Sequence, residues 1–131
     1  MAGRRSLNYK VLLILSPLLI LTGVSGFVLP DGVIPLSSES AYNIFHIVFG
    51  VIGLLLIIFR YENPIRVFNI VFGLTEIYQA IASYNRLFPV QYFKWTWLDD
   101  RVHIVLGISL ILIGLYGFIS SRGKPQSQFS S

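Results

Sequence analysis

Cysteine is absent from the 131 residues of the chain. Without cysteine there can be no disulfide framework, thiolate metal site, cysteine nucleophile or iron–sulfur cluster. Charged residues are scarce at 12%, whereas 54% of the residues are hydrophobic and the mean hydropathy is +0.71. A soluble chain of this length would expose much of that apolar material as patches that aggregate. The composition therefore excludes a water-soluble globule and predicts a protein of the lipid bilayer.

The formal net charge is +4, which in a soluble protein would suggest a nucleic-acid partner. Here the basic residues flank long apolar runs, where lysine and arginine act as signals of membrane topology. We therefore expect no nucleic-acid partner, and the lipid bilayer is the first partner that the sequence predicts.

Four apolar segments each approach the roughly 20 residues that a helix needs to cross about 30 Å of hydrocarbon. They cover about residues 11–29, 41–59, 65–87 and 98–119. Pro30 opens the first polar break, Pro64 suits the first turn of the third helix, and Pro89 follows that helix. We predict an all-α fold, an integral membrane four-helix up-and-down bundle that forms one domain over 1–131, with a short polar tail at 120–131.

Lysine and arginine are distributed unevenly between the two sides of this topology. Seven lie on one side and three on the other: Arg4, Arg5, Lys10, Arg60, Arg66, Arg122 and Lys124 against Arg86, Lys94 and Arg101. Because cytoplasmic loops carry the excess of basic residues, both termini are predicted to be cytoplasmic.

The N-terminus has a competing interpretation as a cleaved signal peptide. Arg4, Arg5 and Lys10 precede the apolar run from Val11 to Leu21, as in a signal sequence. The run continues through Leu29, which is longer than a usual signal core, and no A-x-A cleavage site follows it. A retained first span is the favoured interpretation.

The second and fourth spans carry nearly the same pentapeptide. The two copies are His46-Ile47-Val48-Phe49-Gly50 and His103-Ile104-Val105-Leu106-Gly107. A spacing of four residues places each glycine on the face of its histidine, and Gly53 and Gly114 extend these faces. Small residues let helices approach closely, so Gly50, Gly53, Gly107 and Gly114 are predicted helix-packing positions. The repeat also suggests two helical hairpins of common origin and parallel orientation.

The two histidines have three interpretations. As structural groups, His46 would bond to Tyr42, and His103 would bond to Asp99 or Asp100. As axial ligands on diagonal helices, they would hold one haem, or a chlorophyll, in space provided by the glycines. A zinc site lacks further ligands, and no metal site is predicted. The structural interpretation is favoured, so no cofactor is expected.

The third span carries an unusual number of polar residues, among them Asn69, Glu76, Gln79 and Ser83. Because an ionised carboxylate is costly in hydrocarbon, Glu76 is predicted to face the interior at mid-membrane depth. Interhelical hydrogen bonding is its simplest role. The alternative is a proton pathway, for which the histidines are expected about 10 Å away along the axis, with water bridging the gap.

The loop between the third and fourth spans is aromatic. Tyr92, Phe93, Trp95 and Trp97 surround Lys94, which is the composition of an interfacial aromatic belt. The loop is predicted either to lie on the outer leaflet or to cap the region above the histidines.

Taken together, the motifs of three spans resemble a known family. They are Gly23-x-x-Gly26-Phe27, His46-x-x-x-Gly50-x-x-Gly53-Leu54 and Asp100-x-x-His103-x-x-x-Gly107. Over nearly its whole length the chain is similar to small four-span bacterial membrane proteins that are uncharacterised and classed as a domain of unknown function. The resemblance implies a four-helix bundle in the inner or plasma membrane of a prokaryote, and no assigned activity.

The sequence contains no pairing of nucleophile and base, no phosphate-binding loop and no metal-ligand cluster, so we expect a protein that is not an enzyme. The leading hypothesis is a structural or accessory membrane protein that packs with itself or with subunits of a larger complex. The alternatives are a haem or chlorophyll protein that uses His46 and His103, and a small proton-coupled transporter that uses Glu76.

Overall fold

The computed structural model describes residues 5–122. Over this range the chain forms helices and no strand. The helices are α1 (Leu7–Val28), α2 (Ser40–Phe59), α3 (Glu62–Asn85), the single turn α4 (Val90–Phe93) and α5 (Trp97–Arg122). Within the described part, α1, α2, α3 and α5 are long and apolar enough to cross a membrane. The prediction of an all-helical chain with four such spans is therefore confirmed.

The ends of the helices differ from the predicted ones for local reasons. Helix α1 begins before the predicted residue 11, because the Ser6 side chain accepts a hydrogen bond from the Tyr9 backbone N–H at 3.1 Å and caps the helix. Helix α3 begins at Glu62, three residues before the predicted start at residue 65. Helix α5 continues to Arg122, into the predicted tail. The rest of that tail lies outside the described residues, as do Arg4 and Lys124.

The long helices form two closely packed hairpins, α1 with α2 and α3 with α5. Helix α1 also contacts α3 and α5, and α2 contacts α3 and α4. Because neighbours within a hairpin are antiparallel, the segments 29–39 and 86–96 lie at the same end of the bundle, here named the aspartate end. The opposite end, here named the basic end, contains the first turns of α1 and α3.

Each hairpin closes on a contact between a glycine and a backbone carbonyl. A Cβ atom on Gly50 would lie 2.9 Å from the carbonyl oxygen of Ser16, and a Cβ atom on Gly107 would lie 2.9 Å from that of Gly73. Only a residue without a side chain permits this approach. The two contacts are related by a spacing of 57 residues. Gly107 in the second hairpin corresponds to Gly50 in the first, and Gly73 corresponds to Ser16. The two hairpins thus repeat one packing unit.

The two isoleucines that fill the space beside Gly50 and Gly107 are also 57 positions apart. Ile20 packs at Gly50 and Ile77 packs at Gly107, with Cγ1 atoms 2.6 and 2.8 Å from an added Cβ. Gly53 packs against Ser16, and Gly114 packs against Ile70. All four predicted packing glycines therefore face the other helix of their own hairpin.

An apolar core occupies the middle of the bundle and its basic half. Leu12, Ile65, Phe72 and Leu110 are fully buried there. Large apolar side chains are exposed along all four long helices, a distribution compatible with surrounding lipid. Lipid tails are as apolar as these side chains, so close packing and polar contacts hold such helices together.

Candidate functional site

Buried polar side chains gather at the aspartate end of the bundle. They come from α2, α3 and α5, and all are 9% exposed or less. This polar cluster consists of Tyr42, His46, Glu76, Gln79, Asp99, Asp100 and His103. Buried polar groups need partners, so the contacts of each member indicate what it does.

Asp99 is the acceptor on which several segments converge. Its Oδ2 atom accepts hydrogen bonds from the backbone N–H groups of Ser37 and Thr96, each at 2.9 Å. Its Oδ1 atom accepts from the Tyr42 hydroxyl at 2.6 Å. The Thr96 hydroxyl accepts from the Asp99 N–H at 3.2 Å, which completes a reciprocal cap at the start of α5. Asp99 is thus committed to joining α2, α5 and the segment before α2.

Further contacts join the two segments at the aspartate end. The Thr96 hydroxyl donates to the Pro35 carbonyl at 2.8 Å. Lys94 Nζ lies 3.5 Å from Glu39 Oε1, and both side chains are largely exposed. An exposed ion pair contributes little, so the buried aspartate and the hydroxyl contacts are the stronger links.

A second chain of contacts runs from the aromatic loop into the bundle. Trp95 Nε1 donates to Gln79 Oε1 at 3.1 Å, and Gln79 Nε2 donates to Glu76 Oε1 at 2.8 Å. The other carboxylate oxygen, Glu76 Oε2, lies 3.7 Å from His103 Nε2. Glu76 and His103 are each 2% exposed. A carboxyl group and an imidazole therefore face each other inside the bundle.

This arrangement corrects the expected separation of Glu76 from His103. The sequence predicted about 10 Å along the axis, because depth was counted from the ends of the apolar runs. In the structure, Gly73 lies against Gly107, and the antiparallel course of the helices brings Glu76 level with His103. No water is needed to bridge the pair.

The partner predicted for His46 is confirmed, and the one predicted for His103 is wrong. His46 Nδ1 lies 2.7 Å from the Tyr42 backbone carbonyl, while the Tyr42 hydroxyl bonds to Asp99. His103 faces Glu76 instead of the two aspartates before it. Its Nδ1 atom is buried and has no hydrogen-bond partner within residues 5–122. The His46 contact follows from a four-residue spacing within one helix, whereas the His103 contact depends on the register between α3 and α5.

The aromatic loop covers the polar cluster. Helix α4 packs on α2, where the Phe93 ring lies 5.6 Å from that of Phe45. The Trp95 ring stands edge-on to His103 at 6.1 Å and 89°. Tyr92 and Trp97 remain exposed. The predicted cap above the histidines is confirmed, and the predicted position on the outer leaflet stays a prediction.

Two other predicted polar residues lie apart from the cluster. Asn69 is fully buried, and its Nδ2 donates to Asn8 Oδ1 at 2.9 Å. Asn8, which the sequence placed before the first span, donates in turn to the Ile113 carbonyl at 3.1 Å. Ser83 is half-buried near the end of α3. The burial of Asn8 had one signal in the sequence, its helical spacing from Leu12.

The residues present do not fit a macrocycle between the histidines. The space at Gly50 is taken by Ile20 and that at Gly107 by Ile77. His103 Nε2 faces Glu76 Oε2 at 3.7 Å, so that nitrogen does not face the space between the two histidines. Among the described residues no group of three or more histidine, aspartate and glutamate side chains is arranged to hold a metal ion.

No protein-family model, curated protein or solved structure matches the chain. The resemblance to a four-span bacterial family therefore stays a prediction that rests on its motifs. The class that the fold defines is a helical protein with four candidate spans, compatible with a small multi-pass membrane protein.

Proposed function

We propose that the chain is a small multi-pass protein of a prokaryotic inner or plasma membrane with a structural or accessory role. It packs with itself or with subunits of a larger membrane complex, and it is not an enzyme. The observation that supports this proposal is the separation of polar side chains in the interior from apolar side chains on the surface. Polar groups pair with one another inside, while large apolar side chains cover the outside of all four long helices.

The distribution of charge supports an orientation in the membrane. The basic end carries Arg5, Lys10, Arg60 and Arg66, and the aspartate end carries Arg86, Lys94 and Arg101. Cytoplasmic segments carry the larger share of basic residues, so the basic end, with both termini, faces the cytoplasm.

The packing of the bundle interior supports a structural role more than a path for ions or solutes across the bundle. Between the level of Glu76 and that of Asn69 lie Phe72 and Leu110, with exposures of 0% and 1%. A path for ions or polar solutes would need polar groups or water at this level. The two polar regions are instead separated by packed apolar side chains.

Site-specific photocrosslinking in native membranes tests the accessory role. A photoreactive amino acid is placed singly at an exposed position on each long helix: Ile14, Ile58, Val71 and Val105. Cross-links to another chain are expected from one or two adjacent helices, because an interface covers one face. The same probe at buried Leu110 is the control and should reach no other chain. If all four exposed positions yield only the lone monomer, the accessory role is wrong.

Proton-coupled transport is the second candidate, and the Glu76–His103 distance of 3.7 Å is the observation that favours it. If Glu76 carries the proton, E76Q abolishes pH-driven flux in liposomes. T75V is the matched control, because Thr75 is half-buried outside the polar cluster and its hydroxyl bonds to the Val71 carbonyl of its own helix. Equal flux in E76Q and the parent protein would reject this function.

A further inference from the structure

Trp95 determines which atoms donate and which accept along the contacts from Trp95 through Gln79 to Glu76. An indole N–H is a donor only, so the Gln79 atom that meets it must be the amide oxygen. The amide nitrogen of Gln79 then faces Glu76, and an amide nitrogen is also a donor only. Glu76 Oε1 therefore accepts from Gln79, which favours the unprotonated, carbonyl-type oxygen at this position.

The same reasoning locates any proton that Glu76 holds. With Oε1 committed to accepting, the proton lies on Oε2, the oxygen 3.7 Å from His103 Nε2. We propose that Glu76 Oε2 and His103 Nε2 form a binding site for one exchangeable proton inside the bundle. The separation is about half an ångström longer than the upper end of a normal hydrogen bond, so a shared proton requires the two side chains to approach by that distance.

The site has states that differ by one proton. In the deprotonated state the Glu76 carboxylate accepts from the Nε2–H of a neutral His103. Uptake transfers one proton from hydronium to His103 Nδ1 and leaves water, giving an imidazolium beside a carboxylate. Passage of the Nε2 proton to Glu76 Oε2 converts this state to its isomer, in which a carboxylic acid donates to Nε2 of a neutral imidazole that carries its proton on Nδ1. Release is the reverse sequence, and the pair gains one positive charge on uptake.

Other ionisable groups around the site come from two helices. Helix α2 contributes Tyr42 and His46, and α5 contributes Asp99 and Asp100. Three of these four have a hydrogen-bond partner, whereas Asp100 Oδ1 has none among the described residues. Apart from Glu76, helices α1 and α3 contain one buried ionisable residue, Tyr9, which lies in the first turns of α1.

The two histidines provide a built-in comparison. His103 Nδ1 has no partner, so the atom facing Nε2 decides which ring nitrogen carries the proton. His46 Nδ1 faces a backbone carbonyl, which only accepts, so its proton is fixed on Nδ1. The 57-residue spacing of the hairpins pairs His103 with His46 and Glu76 with Leu19, so the first hairpin lacks the carboxyl group.

Nitrogen-15 NMR of labelled histidine in the full chain, held in lipid nanodiscs, tests the site. The chain has 2 histidines, so each signal is assigned by substituting the other residue. In the parent protein at alkaline pH, His103 is expected as the Nε2–H tautomer. In E76Q, the Gln79 side-chain nitrogen still donates to an oxygen of residue 76. The amide oxygen of the new glutamine therefore faces Gln79, and its NH₂ group faces His103 Nε2. The proton of His103 then moves to Nδ1, while His46 stays Nδ1–H in both proteins.

The same His103 tautomer in both proteins would overturn the proposal, provided that the His46 signals are unchanged and report an intact bundle. If E76Q does not fold, a titration of the parent protein decides. Carbon-13 labelling of glutamate follows Glu76, and its signal and that of His103 must move with one common midpoint. Independent midpoints would refute a shared proton. The result does not depend on the accessory role, because a protein without a partner can still show the tautomer switch.

Discussion

Glu76 on α3 and His103 on α5 face each other at 3.7 Å in a part of the bundle where each is 2% exposed. Their meeting follows from the close contact of Gly73 with Gly107 nearer the bundle centre. The glycines set the register of the hairpin, and the register brings a carboxyl group and an imidazole to the same level. The packing motif and the polar pair are thus parts of one arrangement.

The first prediction concerns this register. G107A places a methyl group 2.8 Å from Ile77 and 2.9 Å from the Gly73 carbonyl, so α3 and α5 must separate. We expect a loss of about 1–3 kcal/mol in the free energy of unfolding, as for other overpacked sites. Denaturant unfolding in detergent, followed by circular dichroism, measures it. V105A, at a position 67% exposed on the same helix, is the control and should change stability much less. Equal stability of both variants would contradict the packing account.

The second prediction concerns Asp99. Asparagine offers one acceptor oxygen in place of two, so D99N leaves either the Tyr42 hydroxyl or the N–H groups of Ser37 and Thr96 without an acceptor. A destabilisation of about 1–3 kcal/mol is expected. Hydrogen exchange at these two amides should accelerate first, because they hold the aspartate end together. D31N alters an exposed aspartate that bonds to a serine hydroxyl, and it should leave their exchange rates unchanged.

The fold was largely predictable because membrane-length apolar runs are a strong signal. The breaks at Pro30, Pro64 and Pro89 separated four spans whose ends differ from the helices by only a few residues. Helix α4 was not predicted, since a single turn has no periodicity to detect. The early start of α1 depends on one side-chain cap at Ser6, which hydropathy does not register.

The site was predictable in its members and not in its contacts. Burial of Glu76 and Gln79 follows from the cost of polar groups in hydrocarbon. Their partners depend on the rotation and register of each helix, which glycine contacts set over a few ångströms. Thr96-x-x-Asp99 is a reciprocal capping motif that the sequence displayed, and it would have indicated that Asp99 was already occupied.

A third prediction uses Trp95 as a reporter of the proton site. The chain has 2 tryptophans, so W97F leaves Trp95 as the single tryptophan, which can be excited selectively and lies 6.1 Å from the His103 ring. The emission of Trp95 should change with pH along a single transition, because the charge of the nearby pair changes by one proton. Adding E76Q should remove or displace that transition. An identical pH response with and without E76Q would show that Trp95 does not sense the pair.

The last prediction tests whether the hairpins repeat at the level of the site. Leu19 on α1 is 5% exposed and corresponds to Glu76 through the 57-residue spacing that relates Gly50 to Gly107. L19E should therefore bring a carboxyl group to His46, whose Nδ1 is held by the Tyr42 carbonyl and whose Nε2 is left as an acceptor. Donation from the new carboxylic acid should change the Nε2 signal of His46 and leave the His103 signals in place.

Burial of the added polar group should also lower the free energy of unfolding, by about 1–3 kcal/mol. L19M is the matched control, because it keeps an apolar side chain of similar volume and should leave the His46 signals unchanged. A His46 spectrum that is the same in L19E and L19M would mean that the backbone repeat does not extend to the side chains. The proton site would then depend on features of the second hairpin alone, among them the Trp95–Gln79 contact.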